Sequence, residues 1–243
     1  MTAAGLAARM VEPFLDFLFP PLCLACSGHC PPGERIFCEH CRRKLEHVSE
    51  SDHTMSVLAE RFREAGTISC FLPLYYFEEH GVLQHAIHAL KYEGMTAVGE
   101  ALGRELGAVL AARPEFAFCD LIIPVPLHSV KERERGYNQS DWICRGIARE
   151  LRAPIGRRLI RRTRNTRTQT KLSASERIEN VQGAFDVERE KTSLLKNKAV
   201  LLVDDVVTTG ATLGACAFAL RQAGADRVVC ASVGAAKLTA GAA

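Results

Sequence analysis

Two groups of residues in this chain have types and spacings that could do chemistry. The first lies in the run VLLVDDVVTTGATL, residues 200 to 213. Asp204 and Asp205 accept hydrogen bonds and donate none, so they suit hydroxyl groups or a hydrated divalent cation. A turn of small residues follows, Thr208, Thr209, Gly210, Ala211 and Thr212, and leads into a helical pattern. Gly210 permits backbone angles that other residues resist. Successive backbone N–H groups in such a turn, aided by the positive end of the helix dipole, form an anion-binding concavity, and threonine hydroxyls add donors without bulk. Acceptors for hydroxyls beside donors for a phosphate together describe a ribose 5-phosphate.

Other assignments of this run fit less well. A nicotinamide-binding turn places glycines first and its acid some 20 residues later, whereas here the acids come first. The magnesium-binding strand of an ATPase requires a Gly-x4-Gly-Lys-Ser/Thr loop, which the chain lacks. A solvated strand end with a helix cap accounts for one carboxylate and one threonine but not for the whole run.

The second group is Cys23-x2-Cys26, followed after eleven residues by Cys38-x2-Cys41. Each pair turns two thiolates toward one cation, and two pairs complete the tetrahedral four-sulfur shell that zinc favours. Prolines and glycines surround them (Pro20, Pro21, Gly28, Pro31, Pro32, Gly33), as expected where a metal replaces a hydrophobic core. A closed site of this kind is structural or serves partner docking. Cys30 and His40 are expected to be spectators. Cys70, Cys119, Cys144, Cys216 and Cys230 lie in apolar segments and are expected to be buried and inert. His85 and His88, three apart on a helical pattern, lack a third ligand and are expected to be surface or core residues.

The elements that must position these groups follow from periodicity. Strands are expected at 69–77, 119–127, 157–160, 183–187, 199–203 and 227–236, and helices at 82–94, 96–113, 140–152 and 212–223. Continuous apolar strands alternating with helices imply a parallel sheet covered on both faces, with ligands beyond the carboxyl ends of the strands. At the front, Leu6, Met10, Phe14, Phe17 and Leu18 fall at helical spacing, which predicts a short amphipathic helix docked on the main body. Glu12, Pro13 and Asp16 interrupt a signal-peptide core.

Bulk properties agree. A chain of 243 residues accommodates one sizeable domain and an appendage. With 47% hydrophobic residues, 24% charged and a net charge of +3, the composition is ordinary and too mildly basic to announce nucleic-acid binding. No apolar run approaches the roughly 18 residues of a membrane helix. Ten cysteines without an export signal lead to the expectation of a cytoplasmic protein.

The run VLLVDDVVTTGATL resembles the phosphoribosyl pyrophosphate (PRPP) motif of type I phosphoribosyltransferases. The segments HALKYEG, IPVPLHSVKERERGYNQS and TRTQTKLSASERIENVQGAF, together with the front cysteine pairs, narrow the resemblance to the ComF family. These are double-zinc-ribbon-like phosphoribosyltransferase homologues linked to competence and DNA uptake. The resemblance extends from about Pro20 to Ala235. It implies an α/β type I phosphoribosyltransferase fold, a Rossmann-like parallel sheet flanked by helices with a hood, plus a small N-terminal four-cysteine zinc ribbon. The corresponding division is a helix and zinc-ribbon-like module at 1–50, a linker at 51–67 and the transferase domain at 68–243, with the hood at about 68–118 and the core at about 119–235.

By the same resemblance, Asp204 and Asp205 hold the ribose 2′- and 3′-hydroxyls, and Thr208, Thr209, Gly210, Ala211 and Thr212 hold the 5′-phosphate. Pro124, Val125 and Pro126 occupy the place of the pyrophosphate loop, with Arg135 as its functional cation. Lys131 and Arg133, alternating with Glu132 and Glu134, are expected to be solvated. Lys91 and Tyr92 would face the acceptor from the hood. A basic stretch containing Arg157, Arg158, Arg161, Arg162, Arg164, Arg167 and Lys171 has no acid within it. It matches a flexible loop that closes over substrate, with Arg167, Thr168, Gln169 and Arg177 as its family residues. A contact to the backbone of single-stranded DNA is the other function open to this stretch, although it offers no aromatic residue for stacking.

The implied activity is transfer of a phosphoribosyl group to an unknown acceptor with release of pyrophosphate, with structural Zn2+ and with Mg2+ accompanying PRPP. Thr208 stands where purine-salvage relatives carry an aspartate, which argues against purine salvage. The N-terminal Met1-Thr2 does not match the nucleophilic cysteine of glutamine amidophosphoribosyltransferases. The alternative is a non-catalytic PRPP- or nucleotide-binding adaptor in competence-type DNA uptake or DNA processing. Its partners would be a DNA-uptake helicase or single-stranded DNA. A homodimer stays open, since type I relatives often pair.

Overall fold

The computed structural model describes residues 20–31, 33–163 and 183–238. The amphipathic helix expected at the front lies outside them. In chain order the described residues form α1 (Glu39–Arg42), α2 (His53–Ala65), β1 (Cys70–Phe77), α3 (Val82–Tyr92), α4 (Thr96–Ala111), α5 (Pro114–Ala117), β2 (Leu121–Pro124), α6 (Ser129–Arg135) and α7 (Gln139–Leu151). They continue as β3 (Ile160–Arg162), β4 (Phe185–Val187), a 3-10 helix at Arg189–Leu194, β5 (Ala199–Val207), α8 (Ala211–Gln222) and β6 (Arg227–Ala236).

Apolar runs build the sheet that the sequence predicts. Four strands pair in parallel in the order β1-β6-β5-β2, so the last strand of the chain lies in the interior. Side chains alternate across it. Leu201, Val203, Val229 and Ala231 pack toward α3, α4 and α7, whereas Val200, Leu202, Val228 and Cys230 pack toward α2 and α8. β1, within the stretch assigned to the hood, pairs with β6 in this sheet. The short strand expected at 157–160 starts at Ile160 instead and runs to Arg162; with β4 it forms a separate antiparallel ribbon.

Residues 51–67, expected as a linker, contain the thirteen-residue helix α2. Asp52 caps its start by accepting from Thr54 N at 3.3 Å, and Gly66 ends it in the left-handed region. Met55, Leu58 and Phe62 are buried from it against the sheet. Full burial of Leu58 alone contributes about 2 kcal/mol. On the other face, α4 and α7 cross so closely that a β-carbon on Gly103 would lie 2.1 Å from Ile143 O, and one on Gly146 2.2 Å from Glu100 O. These glycines let the two helices cross in direct backbone contact.

The cysteine module is part of this core rather than tethered to it. Cys23, Ile36, Phe37 and Cys41 share one apolar cluster with α3, α4 and β1. Arg42 bridges Glu34 at 2.8 Å and Glu105 of α4 at 3.0 Å, and the hydroxyl of Tyr75 donates to the same Glu105 carboxylate. Residues 46–48 extend the sheet past β1 through a bridge between His47 and Tyr75. Among the described residues no helix is long and apolar enough to cross a membrane.

Candidate ligand site

The acids owe their position to two strands of unequal length. β2 pairs with β5 from Leu121–Val200 to Pro124–Val203, and a last bond from Val125 N to Val203 O spans 2.8 Å. Pro126 has no N–H to continue the ladder. The apolar pattern of β5 ends at Val203, but the strand runs on to Val207, held by β6 alone. Asp204 and Asp205 therefore lie inside a strand whose other side is open.

Both acids are buried, at 9% and 4% exposure, and neighbouring strand residues face opposite sides of the sheet. Asp205 turns toward α3, where its Oδ2 forms an ion pair with Lys91 Nζ; its Oδ1 accepts from Val206 N at 2.7 Å. Asp204 lies on the side of Cys216 and Arg162, both of which feel its charge. Its Oδ1 accepts from Asp205 N at 2.9 Å and from Ser140 Oγ at 3.4 Å. Burial, and then the charge of Asp205, push the Asp204 carboxyl up to about 7, against the opposing pull of the Asp205 amide and Lys91. One acid is thus compensated by an ammonium, and the other holds its proton to near neutrality.

The small-residue turn closes a polar cradle of about 40 Å³, lined by Asp204 and by residues 206 to 213. That is room for a group of a few heavy atoms. Gly210 caps α8 with φ +79°, and a β-carbon there would strike the ring of Phe62 from α2. Thr209 Oγ1 accepts from Ala211 N at 3.4 Å, and Arg61 Nη1 donates to Thr209 O at 3.4 Å. The cradle faces the N-terminus of a twelve-residue helix, where backbone donors and dipole favour an anion.

Around the mouth, Val125 is buried and its carbonyl accepts from Asn138 Nδ2 at 2.9 Å. Pro124 ends β2, and Pro126 follows in the loop. Arg135 donates to Gln139 Oε1 and stacks over Tyr92, 5.4 Å from the ring centroid. Tyr92 is itself 69% exposed. Lys131, expected as a solvated residue, is instead half-buried, and burial together with Arg162, Arg135 and Lys91 lowers its basicity. Arg133 is bonded within its own helix, to Ser129 O at 3.3 Å. Arg161 pairs with Asp186 and Glu188, so part of the basic stretch is neutralised by β4 and the residue after it. Arg164, Arg167, Thr168, Gln169, Lys171 and Arg177 lie outside the described residues.

At the front, the Sγ atoms of Cys23, Cys26, Cys38 and Cys41 lie within 4.8 Å of one another, with Cys26 and Cys38 at 3.6 Å. Tetrahedral zinc–thiolate bonds place sulfurs about 3.8 Å apart, so the four residues fit a metal such as zinc. Burial opposes the Cys23 thiolate, but backbone bonds involving Cys38, Ala25 and Cys26 outweigh it and bring the thiol to about 6. Cys30 and His40 are not in the cluster. Cys144, Cys216 and Cys230 are fully buried, and burial pushes their thiols well above the usual range. His88 pairs with Glu93 at 3.0 Å and packs against Tyr92, and neither it nor His85 joins a ligand group.

The Phosphoribosyl transferase domain family matches residues 143–239. Competence protein F of Haemophilus influenzae is 28% identical over 218 residues, 85% of this chain and 93% of that protein. Competence protein ComFC of Bacillus subtilis is 24% identical over 208 residues, 79% of this chain and 80% of that protein. The DNA utilization protein YhgH of Escherichia coli O157:H7 is 39% identical over 145 residues, and the match spans 58% of this chain and 62% of YhgH. Over most of its length the chain is similar to proteins of the ComF family. Its fold is the phosphoribosyltransferase fold with a four-cysteine cluster in front.

The described motif residues of β5, α3 and the segment after β2 meet at this rim, but several residues that organise it are not prominent in the sequence. Tyr137, Asn138 and Ser140 bond to Leu90, Val125 and Asp204 respectively, although only Arg135 of that motif stands out as functional by sequence. The signal available for Asn138 is its type, a preferred N-cap just before a helical pattern. Arg61 and Phe62 lie in the stretch expected as a linker, and the spacing of Met55, Leu58 and Phe62 is the signal that reveals their helix. Asp205 is already paired with Lys91, and among the described residues only the cysteines gather as a ligand group.

Proposed function

We propose that the chain binds PRPP, or a nucleotide bearing the same phosphoribosyl group, at the open rim of its sheet and transfers that group to an acceptor with release of pyrophosphate. The observation that carries this reading is that Asp204 both lines the cradle and belongs to the acidic pair, so a phosphate and ribose hydroxyls are met within one small space. In this reading the 5′-phosphate sits on the turn from Thr208 to Thr212 and the ribose hydroxyls on Asp204 and Asp205. The pyrophosphate lies toward Lys131 and Arg135. Lys91 and Tyr92 border the acceptor.

The chemistry is a displacement at ribose C1. The acceptor's lone pair forms a bond to C1 while the C1–O bond breaks and its electrons leave with pyrophosphate. Positive charge develops on the ribose ring, so the protein's part is to position the ends and to stabilise charge. Thr208 offers no carboxylate to remove a proton from an acceptor, so the acceptor must arrive as a competent nucleophile. Magnesium accompanying pyrophosphate would supply charge neutralisation. The printed names of the relatives, competence and DNA utilization, support a role in handling incoming DNA.

Pyrophosphate release from PRPP, measured with a panel of acceptors, tests the reading, with Asp204→Asn/Asp205→Asn as the control. Release that depends on the acids is the expected result. Calorimetric binding without any release would leave an adaptor that reads PRPP, and no binding at all would overturn the ligand assignment.

A further inference from the structure

The four residues Tyr137 to Ser140 form the entry to α7 and touch three separate parts of the site. The Tyr137 hydroxyl donates to Leu90 O, the residue before Lys91, whose ammonium meets Asp205. Asn138 Nδ2 holds the carbonyl of Val125, and its Oδ1 accepts from Ser140 N at 3.1 Å, which fixes the first turn of α7. Ser140 is fully buried, and its hydroxyl donates to Asp204 Oδ1. A serine in the first turn of a helix usually turns to water or to its own backbone. Here Asn138 ties the helix start to the carbonyl of Val125, beside the rim where β2 has ended.

We propose that Ser140 is a positioning residue of the ligand site, orienting the Asp204 carboxyl and favouring its ionised form so that it can accept a ligand hydroxyl. The inference rests on the ligand reading above but concerns a bond present without ligand. The groups facing Asp204 are Asp205 on its own strand, Lys91 of α3, Cys144 of α7, Cys216 of α8, Arg162 of β3 and Cys230 of β6. The three thiols are held well above the usual range by burial, and the lysine and arginine are cations. Of these groups, Asp205 acts most strongly on Asp204 through its charge.

Ser140→Ala removes the donor and leaves the volume almost unchanged. The first measurement is the titration of the Asp204 carboxyl carbon by NMR in the ligand-free protein, assigned with Asp204→Asn. The midpoint in Ser140→Ala is expected to rise by about half a pH unit to one unit, the effect of losing one hydrogen bond to a charged group. The second measurement is PRPP affinity against pH by calorimetry, in which the acid limb should shift in Ser140→Ala by the same amount and wild-type affinity return at high pH. An unchanged midpoint in Ser140→Ala overturns the inference. A displaced midpoint in a protein that binds no PRPP overturns the ligand reading and supports the positioning of Asp204.

Discussion

The ring of Phe62 occupies the space that a side chain on Gly210 would enter, with Cε1 2.7 Å and Cζ 2.8 Å from the β-carbon position. A helix from the front half of the chain therefore presses on the turn from Thr208 to Thr212 in the back half. Gly210→Ala must add a methyl group at φ +79° and displace that ring. It is expected to lower unfolding free energy by about 2 kcal/mol, and to weaken ribose 5-phosphate binding at least tenfold. Urea denaturation and calorimetry check the two effects. Phe62→Leu in the same chain should restore part of the stability.

The ion pair between Lys91 and Asp205 predicts a strong coupling. Its side chains are 23% and 6% exposed, so either single change leaves a largely buried charge unpaired. Lys91→Met and Asp205→Asn should each destabilise by about 2–4 kcal/mol, and the double variant should lose less than their sum. A double-mutant cycle from denaturation curves measures the difference. Strict additivity would mean that the pair is not formed in solution.

The carboxyl of Asp204 gives stability a defined pH dependence. Its folded value, about 7, lies above the ordinary carboxylate range. Between about pH 4 and 7 the folded chain keeps this proton while the unfolded chain has released it, so this group's contribution falls as pH rises and levels off above 7. Asp204→Asn should remove that decline, giving a flatter profile and a relative gain at pH 8 over pH 5. Denaturation at the two pH values checks the sign. If Asp204 accepts a ribose hydroxyl as proposed, ligand binding should run the other way and strengthen as pH rises through 7, because the ionised acid is the stronger acceptor.

Much of this site is legible in the sequence because its chemistry is local. Asp204, Asp205 and the turn to Thr212 are consecutive, and the spacing of the two cysteine pairs suits a four-sulfur metal shell and little else. The partners of those residues are not local. Lys91 reaches Asp205 across more than a hundred residues, and the burial that sets Asp204 comes from helices on both faces. The helix at His53–Ala65 is obscured because only a narrow stripe is apolar, with charges elsewhere. The end of β5 is hard to place by sequence because two carboxylates argue against a buried strand. The early stop of β2 and the ammonium of Lys91 make that burial tolerable.

Metal removal should affect the whole chain, not just its front. Cys23, Phe37 and Cys41 share a core with α3 and α4, and Arg42 reaches Glu105. Elemental analysis is expected to find one metal ion per chain. Chelation, or Cys41→Ser, should lower the single thermal transition by several degrees and not produce a separate early one. Calorimetry distinguishes the two, and an unchanged main transition would mean that the cysteine module folds on its own.

The strand order β1-β6-β5-β2 sets a timetable for synthesis. β1 is made early, but its sheet partner, residues 227 to 236, is translated after every other described strand. Until that segment leaves the ribosome, β1 and β5 have no strand between them, and the apolar surface of the first hundred residues waits uncovered. Closure of the sheet is therefore a late, long-range event, and a message that stops before Arg227 yields a chain with every site motif present and no rim on which to assemble them.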